Sequence, residues 1–239
     1  MANPVPLITQ TPSPNFGERR GGVTADMLII HFTDQPDVTS AVDILTDPAR
    51  AVSAHYLIAA DGQILQLVAE HKRAWHAGVA HWAGQTDINS RSIGIELDNP
   101  GIDTGRHPFP AVQMRALITL ARAIIARHPI PARHILGHSD IAPLRKQDPG
   151  PLFNWQHLAA AGIGLWPDAT DQRDICAADA AMMLSEIGYD PAAIAASPTA
   201  VVSAFQSHWR PTKIDGQLDP ETRNFIAAVA DLVAADKAR

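Results

Sequence analysis

Apolar positions fall into two rhythms along this chain. Over the first hundred residues they come as short runs punctuated by turns, Met27 to Ile30, Tyr56 to Ala59, Ile64 to Val68 and Ser92 to Leu97, which predict β-strands. Asp61-Gly62 separates the second run from the third at the spacing of a tight hairpin, since that pair tolerates the positive φ such turns demand. Val42 to Ala49 predicts a short helix whose extent Pro48 limits. Between Ala111 and Arg127 the period changes: Met114, Leu117, Ile118, Ala121, Ile124 and Ile125 recur at helical spacing, so this segment is expected to cover one face of the sheet. Pro129 and Pro131 end it, and His134-Ile135-Leu136 predicts one more strand.

Gly164, Trp166, Pro167 and Asp168 interrupt the pattern and predict a boundary between Gly162 and Asp171. Everything beyond it reads as helix. Cys176, Ala180, Met183, Leu184 and Ile187 share one helical face, Val201, Val202 and Phe205 follow Pro198, and Phe225, Ile226, Val229, Leu232 and Val233 form a closing stripe. The expected fold class is therefore α/β, a mixed central β-sheet flanked by helices over residues 1–165, followed by a small all-α unit over 171–239.

With 239 residues and 46 % hydrophobic content, the chain is long enough for a sizeable core and a smaller second one. A net charge of -6 provides no broad basic field, so nucleic acid is disfavoured as a partner. No apolar run reaches the roughly 20 residues that span a bilayer, and Met1-Ala2-Asn3-Pro4-Val5-Pro6 lacks the charged and apolar regions of a signal peptide. A cytoplasmic location is the expectation, or a periplasmic one for a trimmed chain. A monomer is favoured, although no residue pattern fixes the oligomeric state. The lone Cys176 excludes an intrachain disulfide and reads as a packed core thiol.

Ten of the eleven histidines precede the boundary, which places the chemistry in the first unit. The densest stretch is Gly137-His138-Ser139-Asp140-Ile141-Ala142-Pro143, followed by Lys146 and Asp148-Pro149-Gly150. An imidazole and a carboxylate ten residues apart converge on one ion only if the chain folds back, and these prolines and glycine favour such irregular backbone. His31, at the end of the first apolar run, supplies the third ligand from a rigid strand end. Two histidines and one aspartate leave the fourth position of a zinc ion to water, the pattern of catalytic rather than structural zinc. Glu96 is an acid inside the apolar run Ile93-Gly94-Ile95-Glu96-Leu97, which favours catalysis over a salt bridge to Arg91 or Arg115. His55, beside Tyr56 in a strand, reads as a buried, hydrogen-bonded imidazole rather than a fourth ligand. Trp75 and His76, ahead of Ala77-Gly78, suit either a sugar-stacking groove or core packing. Asp140 is expected to fix its own loop.

The chain resembles the zinc-dependent N-acetylmuramoyl-L-alanine amidases whose fold is shared with peptidoglycan recognition proteins. The resemblance rests on Ile29-Ile30-His31, Ser53 to Ile58, Asp61-Gly62-Gln63-Ile64, Ala74-Trp75-His76-Ala77-Gly78, Asn89, Ser92 to Leu97, Gly137-His138-Ser139-Asp140, and Lys146 with Asp148-Pro149-Gly150. It implies zinc held by His31, His138 and Asp148, Glu96 as catalytic carboxylate, and Lys146 as transition-state stabiliser. It also implies substrate contacts at Trp75, His76, Phe32 and Asn89, and a peptidoglycan or muropeptide substrate cut between the muramic lactyl group and L-alanine. Phe32 stands where relatives acting on soluble 1,6-anhydro-muropeptides often carry asparagine, which leaves intact sacculus and anhydro fragments both open. A non-catalytic muropeptide-binding protein and a zinc peptidase of the stem peptide are the alternatives. The tail resembles a three-helix peptidoglycan-binding domain through Ile187-Gly188-Tyr189, Phe205-Gln206 and Ile214 to Thr222.

Overall fold

The computed structural model describes every residue except 1–6, 103, 104, 106, 169–172 and 174. The strands are β1 (Ile8–Gln10), β2 (Phe16–Glu18), β3 (Met27–Phe32), β4 (Tyr56–Ile58), β5 (Ile64–Gln66), β6 (Lys72–Ala74), β7 (Ser92–Leu97) and β8 (Ile135–Gly137). Six of them form a mixed sheet in the order β1-β5-β4-β7-β3-β8, while β2 and β6 make a separate antiparallel pair. Only β4 and β5 run antiparallel within the large sheet, so β4, β7, β3 and β8 point their carboxyl ends the same way. The helices are α1 (Val38–Thr46), α2 (Ile88–Arg91), α3 (Ala111–Arg127), α4 (His138–Ile141), α5 (Trp155–Ala160), α6 (Ala177–Ile187), α7 (Pro191–Ala196), α8 (Pro198–Trp209) and α9 (Pro220–Lys237). None of the described helices is long and apolar enough to cross a membrane.

Successive side chains of a strand point to opposite faces, so each central strand serves two cores. Leu28 and Ile30 of β3, with Ile93, Ile95 and Leu97 of β7, pack beneath α3. That helix sinks Leu117, Leu120 and Ile124 completely, each contributing about 1.5–3 kcal/mol by burial. The alternate residues Met27 and Ile29 face the other way, into a cluster shared with Ile141 and Ala142 and with Leu184, Val201, Phe205, Ile226 and Val229 of the tail. The helical tail is thus seated on the sheet by one continuous apolar cluster. The boundary expected between Gly162 and Asp171 falls partly outside the described residues, as does the first residue of the expected second unit.

Several expectations are corrected in detail. The helix expected over Val42 to Ala49 runs from Val38 to Thr46: Asp37 caps it by accepting the Ser40 N–H at 2.8 Å, and it stops before Asp47-Pro48, where the proline disfavours helical backbone in the preceding residue. The β4–β5 hairpin is not a two-residue Asp-Gly turn. Ala59 N–H donates to Gln63 O, three residues intervene, and of the Asp-Gly pair only Gly62 takes a positive φ, of 90°. The tail holds four described helices rather than three, because the six-residue α7 intervenes. Three of them open alike, on Asp190-Pro191, Ser197-Pro198 and Asp219-Pro220, where the polar residue caps and the proline supplies a helix-ready φ. Cys176 is exposed, not a core thiol. It is the residue before α6, so its side chain leaves the helical stripe and Sγ accepts the Asp179 N–H at 3.4 Å.

Candidate metal centre

The strand topology assembles the site. β3 lies between β7 and β8, all parallel, and His31 pairs in register with Glu96 while His138 follows directly on β8. Three functional side chains therefore emerge at the carboxyl ends of three adjacent parallel strands, where open α/β sheets place their ligands. Alternation puts His31 and Glu96 on the face opposite α3, together with Ser92 and Gly94. Asp148 reaches the same point because the chain folds back after α4: Ser139 N–H donates to Asp148 O at 2.9 Å, and a Cβ at Gly137 would stand 2.7 Å from Pro149 Cδ. Only glycine allows the loop to close that tightly.

The result is a near-equilateral triangle of donor atoms. His31 Nδ1 lies 3.0 Å from His138 Nδ1 and 2.9 Å from Asp148 Oδ2, and the third edge, His138 Nδ1 to Asp148 Oδ2, is 3.1 Å. Neighbouring donors on a tetrahedral ion with bonds of 2.0–2.1 Å stand about 3.3 Å apart, so the three atoms fit one metal ion of zinc's size. Among the described residues they form the one group of His, Cys, Asp and Glu side chains with metal-holding geometry. All three are buried.

Hydrogen bonds around the triangle fix which nitrogens carry protons. Ser92 Oγ–H donates to Ile88 O at 2.7 Å, an acceptor that leaves the hydroxyl no other choice, so Ser92 Oγ accepts His76 Nε2–H at 3.0 Å. His76 Nδ1 is then unprotonated and accepts His31 Nε2–H at 3.0 Å, which leaves His31 Nδ1 with its lone pair toward the other two donor atoms. His138 Nε2 lies 3.0 Å from Ala77 O and 3.3 Å from Arg145 Nη2; on the shorter contact Nε2–H donates to the carbonyl and Nδ1 is bare. Outer partners of this kind hold ligating imidazoles in tautomer and orientation. The relay fits only over a glycine: a Cβ at Gly94 would lie 2.5–2.7 Å from the His76 ring.

The charge states agree. Burial first, then the neighbouring His138, pull the His31 imidazole down to about 4, so it is neutral at physiological pH. Burial opposes ionisation of Asp148, but the positive charge that His138 and His31 would carry on protonation, and the N–H each would then donate, outweigh that cost and hold it below the usual carboxylate range. Glu96 goes the other way. Burial, reinforced by the negative charge of Asp148 and opposed by Lys146, raises it well above the usual carboxylate range. Its Oε2 is buried without a hydrogen-bond partner, and Arg91 is engaged instead with Asp26. The salt bridge weighed for Glu96 with Arg91 is absent.

The triangle opens into a cleft of about 440 Å³ whose walls include Phe32, Trp75, Glu96, Arg145 and Lys146. Lys146 is exposed and forms no ion pair among the described residues. Past Ile102, Lys146 and Gln147 lies a second hollow of about 480 Å³ bounded by Ser203, Ala204 and Ser207 of α8. His76 borders the cleft, but both ring nitrogens are committed to His31 and Ser92. Asn89, expected at the substrate, is instead buried beneath the turn, its Oδ1 accepting the His76 and Ala77 N–H groups at 3.0 and 2.8 Å. His55 is buried and outside the triangle: Gly94 N–H donates to its Nδ1, and its Nε2–H donates to Lys72 O. Ser92 was missed by sequence reasoning, since a serine opening a strand carries no signal of its own.

Comparison with known proteins gives a consistent picture. Residues 21–151 match the family described as N-acetylmuramoyl-L-alanine amidase. The chain is 40 % identical over 234 residues to the N-acetylmuramoyl-L-alanine amidase AmiD of Escherichia coli, covering 88 % of this chain and 84 % of that protein. A complex of AmiD with anhydro-N-acetylmuramic acid-L-Ala-D-gamma-Glu-L-Lys superposes with a TM-score of 0.79 at 37 % identity over 91 % of this chain and 98 % of the other. AmpDH3 of Pseudomonas aeruginosa, in complex with anhydromuramic pentapeptide, gives a TM-score of 0.81 at 35 % identity over 92 % and 94 % of the two chains. The 1,6-anhydro-N-acetylmuramyl-L-alanine amidase AmpD of Escherichia coli is 39 % identical over 163 residues, 61 % of this chain and 87 % of its own. On this sequence match and this fold, the chain belongs to the N-acetylmuramoyl-L-alanine amidase family.

Proposed function

We propose that this protein is a zinc hydrolase that cleaves the amide between the muramic lactyl group and L-alanine in peptidoglycan or its soluble muropeptides. The observation that carries the proposal is the pairing of His31 with Glu96 across adjacent strands, which sets a half-buried glutamate whose Oε2 has no hydrogen-bond partner beside a triangle of metal donors. When bound by His31, His138 and Asp148, zinc supplies Lewis acidity that makes water a nucleophile near neutral pH. Glu96 accepts the proton that water loses as its oxygen bonds to the lactyl carbonyl carbon. Its raised proton affinity lets it hold that proton until the carbon–nitrogen bond breaks and then deliver it to the departing amine of L-alanine. Lys146, unpaired at the cleft wall, faces the negative charge that grows on the carbonyl oxygen, a donor role typically worth about 3–4 kcal/mol. Trp75 and Phe32 bound the cleft with apolar surface for the sugar and lactyl moieties. We assign to the tail a second role in holding intact wall polymer, on the strength of its Ile187-Gly188-Tyr189 and Ile214 to Thr222 motifs.

The test is digestion of soluble anhydro-muropeptides and of intact sacculi, before and after zinc is stripped by chelator. Free tetra- or tripeptide with an unmodified stem, lost on chelation and restored by zinc, is the expected result. Shortened stem peptides would instead indicate a peptidase, and binding without release a recognition protein.

A further inference from the structure

The two units meet at a buried polar contact set in an apolar seam, along which Ala83 N–H also donates to Gly188 O at 2.8 Å and Arg133 pairs with Asp236 at 2.8 Å. Asp140 lies two residues beyond His138 on the one-turn helix α4 and is 1 % exposed. Its Oδ2 accepts the Gly137 N–H at 2.8 Å, which closes the turn that leads from β8 into the metal loop. Its remaining capacity is taken by the tail: Oδ1 accepts Tyr189 Oη–H at 2.7 Å, and Oδ2 also accepts His208 Nδ1–H at 2.7 Å. Both tail residues are buried and braced. His208 is stacked between Trp155, on the amidase side, and Trp209, with ring centroids 3.8 and 3.9 Å apart. Tyr189 meets Trp82 edge-to-face at 5.0 Å.

A buried carboxylate is tolerable only when its acceptor positions are filled, and here three donors from two parts of the chain fill them. Apolar packing alone, being non-directional, leaves the register of α8 against α4 less sharply defined. Directional bonds to one carboxylate define it, which is the register-fixing use of buried polar groups. From this geometry we infer that Tyr189 and His208 are positioning residues for the metal centre: the tail grips Asp140 and thereby holds α4 where His138 Nδ1 completes the donor triangle. The inference rests on the proposed zinc site. It gives the tail a part in chemistry on small soluble substrates, which a wall-anchoring role alone does not.

The experiment compares Tyr189→Phe and His208→Phe, which keep the aromatic rings but delete the donors, with His208→Asn, whose side-chain N–H takes the place of Nδ1–H. Val201→Ala, a cavity in α8 that removes no bond to Asp140, controls for general loosening of the seam. Zinc affinity is read by competition with a chromophoric chelator, and kcat and KM on a soluble muropeptide at saturating zinc. Tyr189→Phe and His208→Phe are expected to weaken zinc binding about 10-fold or more and lower kcat with KM little changed, with His208→Asn recovering part of the loss. Val201→Ala is expected to lower the melting temperature while keeping wild-type zinc affinity. Wild-type zinc affinity in Tyr189→Phe and His208→Phe, or an equal loss in Val201→Ala, would overturn the inference. A wild-type chain that holds no zinc would defeat the site reading itself, a distinct failure.

Discussion

The two faces of β3 and β7 are built from the same twelve residues in alternation, and they do opposite things. Toward α3 they present Leu28, Ile30, Ile93, Ile95 and Leu97, a dry surface with nothing polar to satisfy. Toward the cleft, the carboxyl-terminal halves present His31, Gly94 and Glu96, with Ser92 behind them. The apolar face makes the strands immobile. The polar face inherits that rigidity, so donor atoms from β3 and from the loop after β8 meet within 3.1 Å. The period of two separates stability from chemistry along a single backbone, and substitutions on the two faces are expected to have separable effects.

The strongest break is on the cleft side. His138→Ala removes one corner of the triangle and is expected to abolish tight zinc retention and, with it, turnover, as metal analysis of the dialysed protein will reveal. Glu96→Gln preserves shape and zinc content while removing the proton acceptor; kcat should drop about 10²–10⁴-fold at unchanged metal stoichiometry. On the opposite face the pattern inverts. Leu120→Ala, fully buried under α3, should cost about 2–5 kcal/mol in denaturant unfolding yet leave zinc affinity and kcat near wild type well below the melting temperature. Loss of zinc from that variant in its folded state would mean the faces are not separable.

Two smaller effects sharpen the comparison. Gly94→Ala drives a methyl into the His76 ring and should misorient His31, weakening zinc by about 10–100-fold with only modest loss of stability. His55 offers a pH signature. Burial, then the nearby Arg19 charge, lowers it to about 3, against 6.5 for an ordinary histidine. The unfolded chain therefore binds a proton that the folded chain refuses, so this contribution to stability is complete above pH 6.5 and is lost as pH falls from 6.5 toward 3. Replacing His55 with glutamine should flatten the acid limb of stability over that window.

Most of the architecture is written locally. Ser92 to Leu97 and Ala111 to Arg127 coincide with β7 and α3, because each carries an uninterrupted period of two or 3.6 and is flanked by breakers. The donor triangle was legible too, since His31, His138 and Asp148 are residue types with few other uses at such positions. What escaped depends on contacts between distant segments. Asn89 is buried by the backbone of His76 and Ala77, and no local pattern distinguishes that from a cleft position. His208 looks like a stray polar residue in a helical stripe until Asp140 is placed beside it. Cys176 misled because spacing counts a capping residue as if it were helical.

The central claim is that this cleft adds water across the lactyl amide, and hydrolysis of an anhydro-muropeptide in H₂¹⁸O by the zinc-loaded protein tests it directly. One heavy oxygen should appear in the lactyl carboxylate of the sugar product, and none in the released peptide. Heavy oxygen in a carboxyl group of the peptide would place the cut elsewhere and contradict the account.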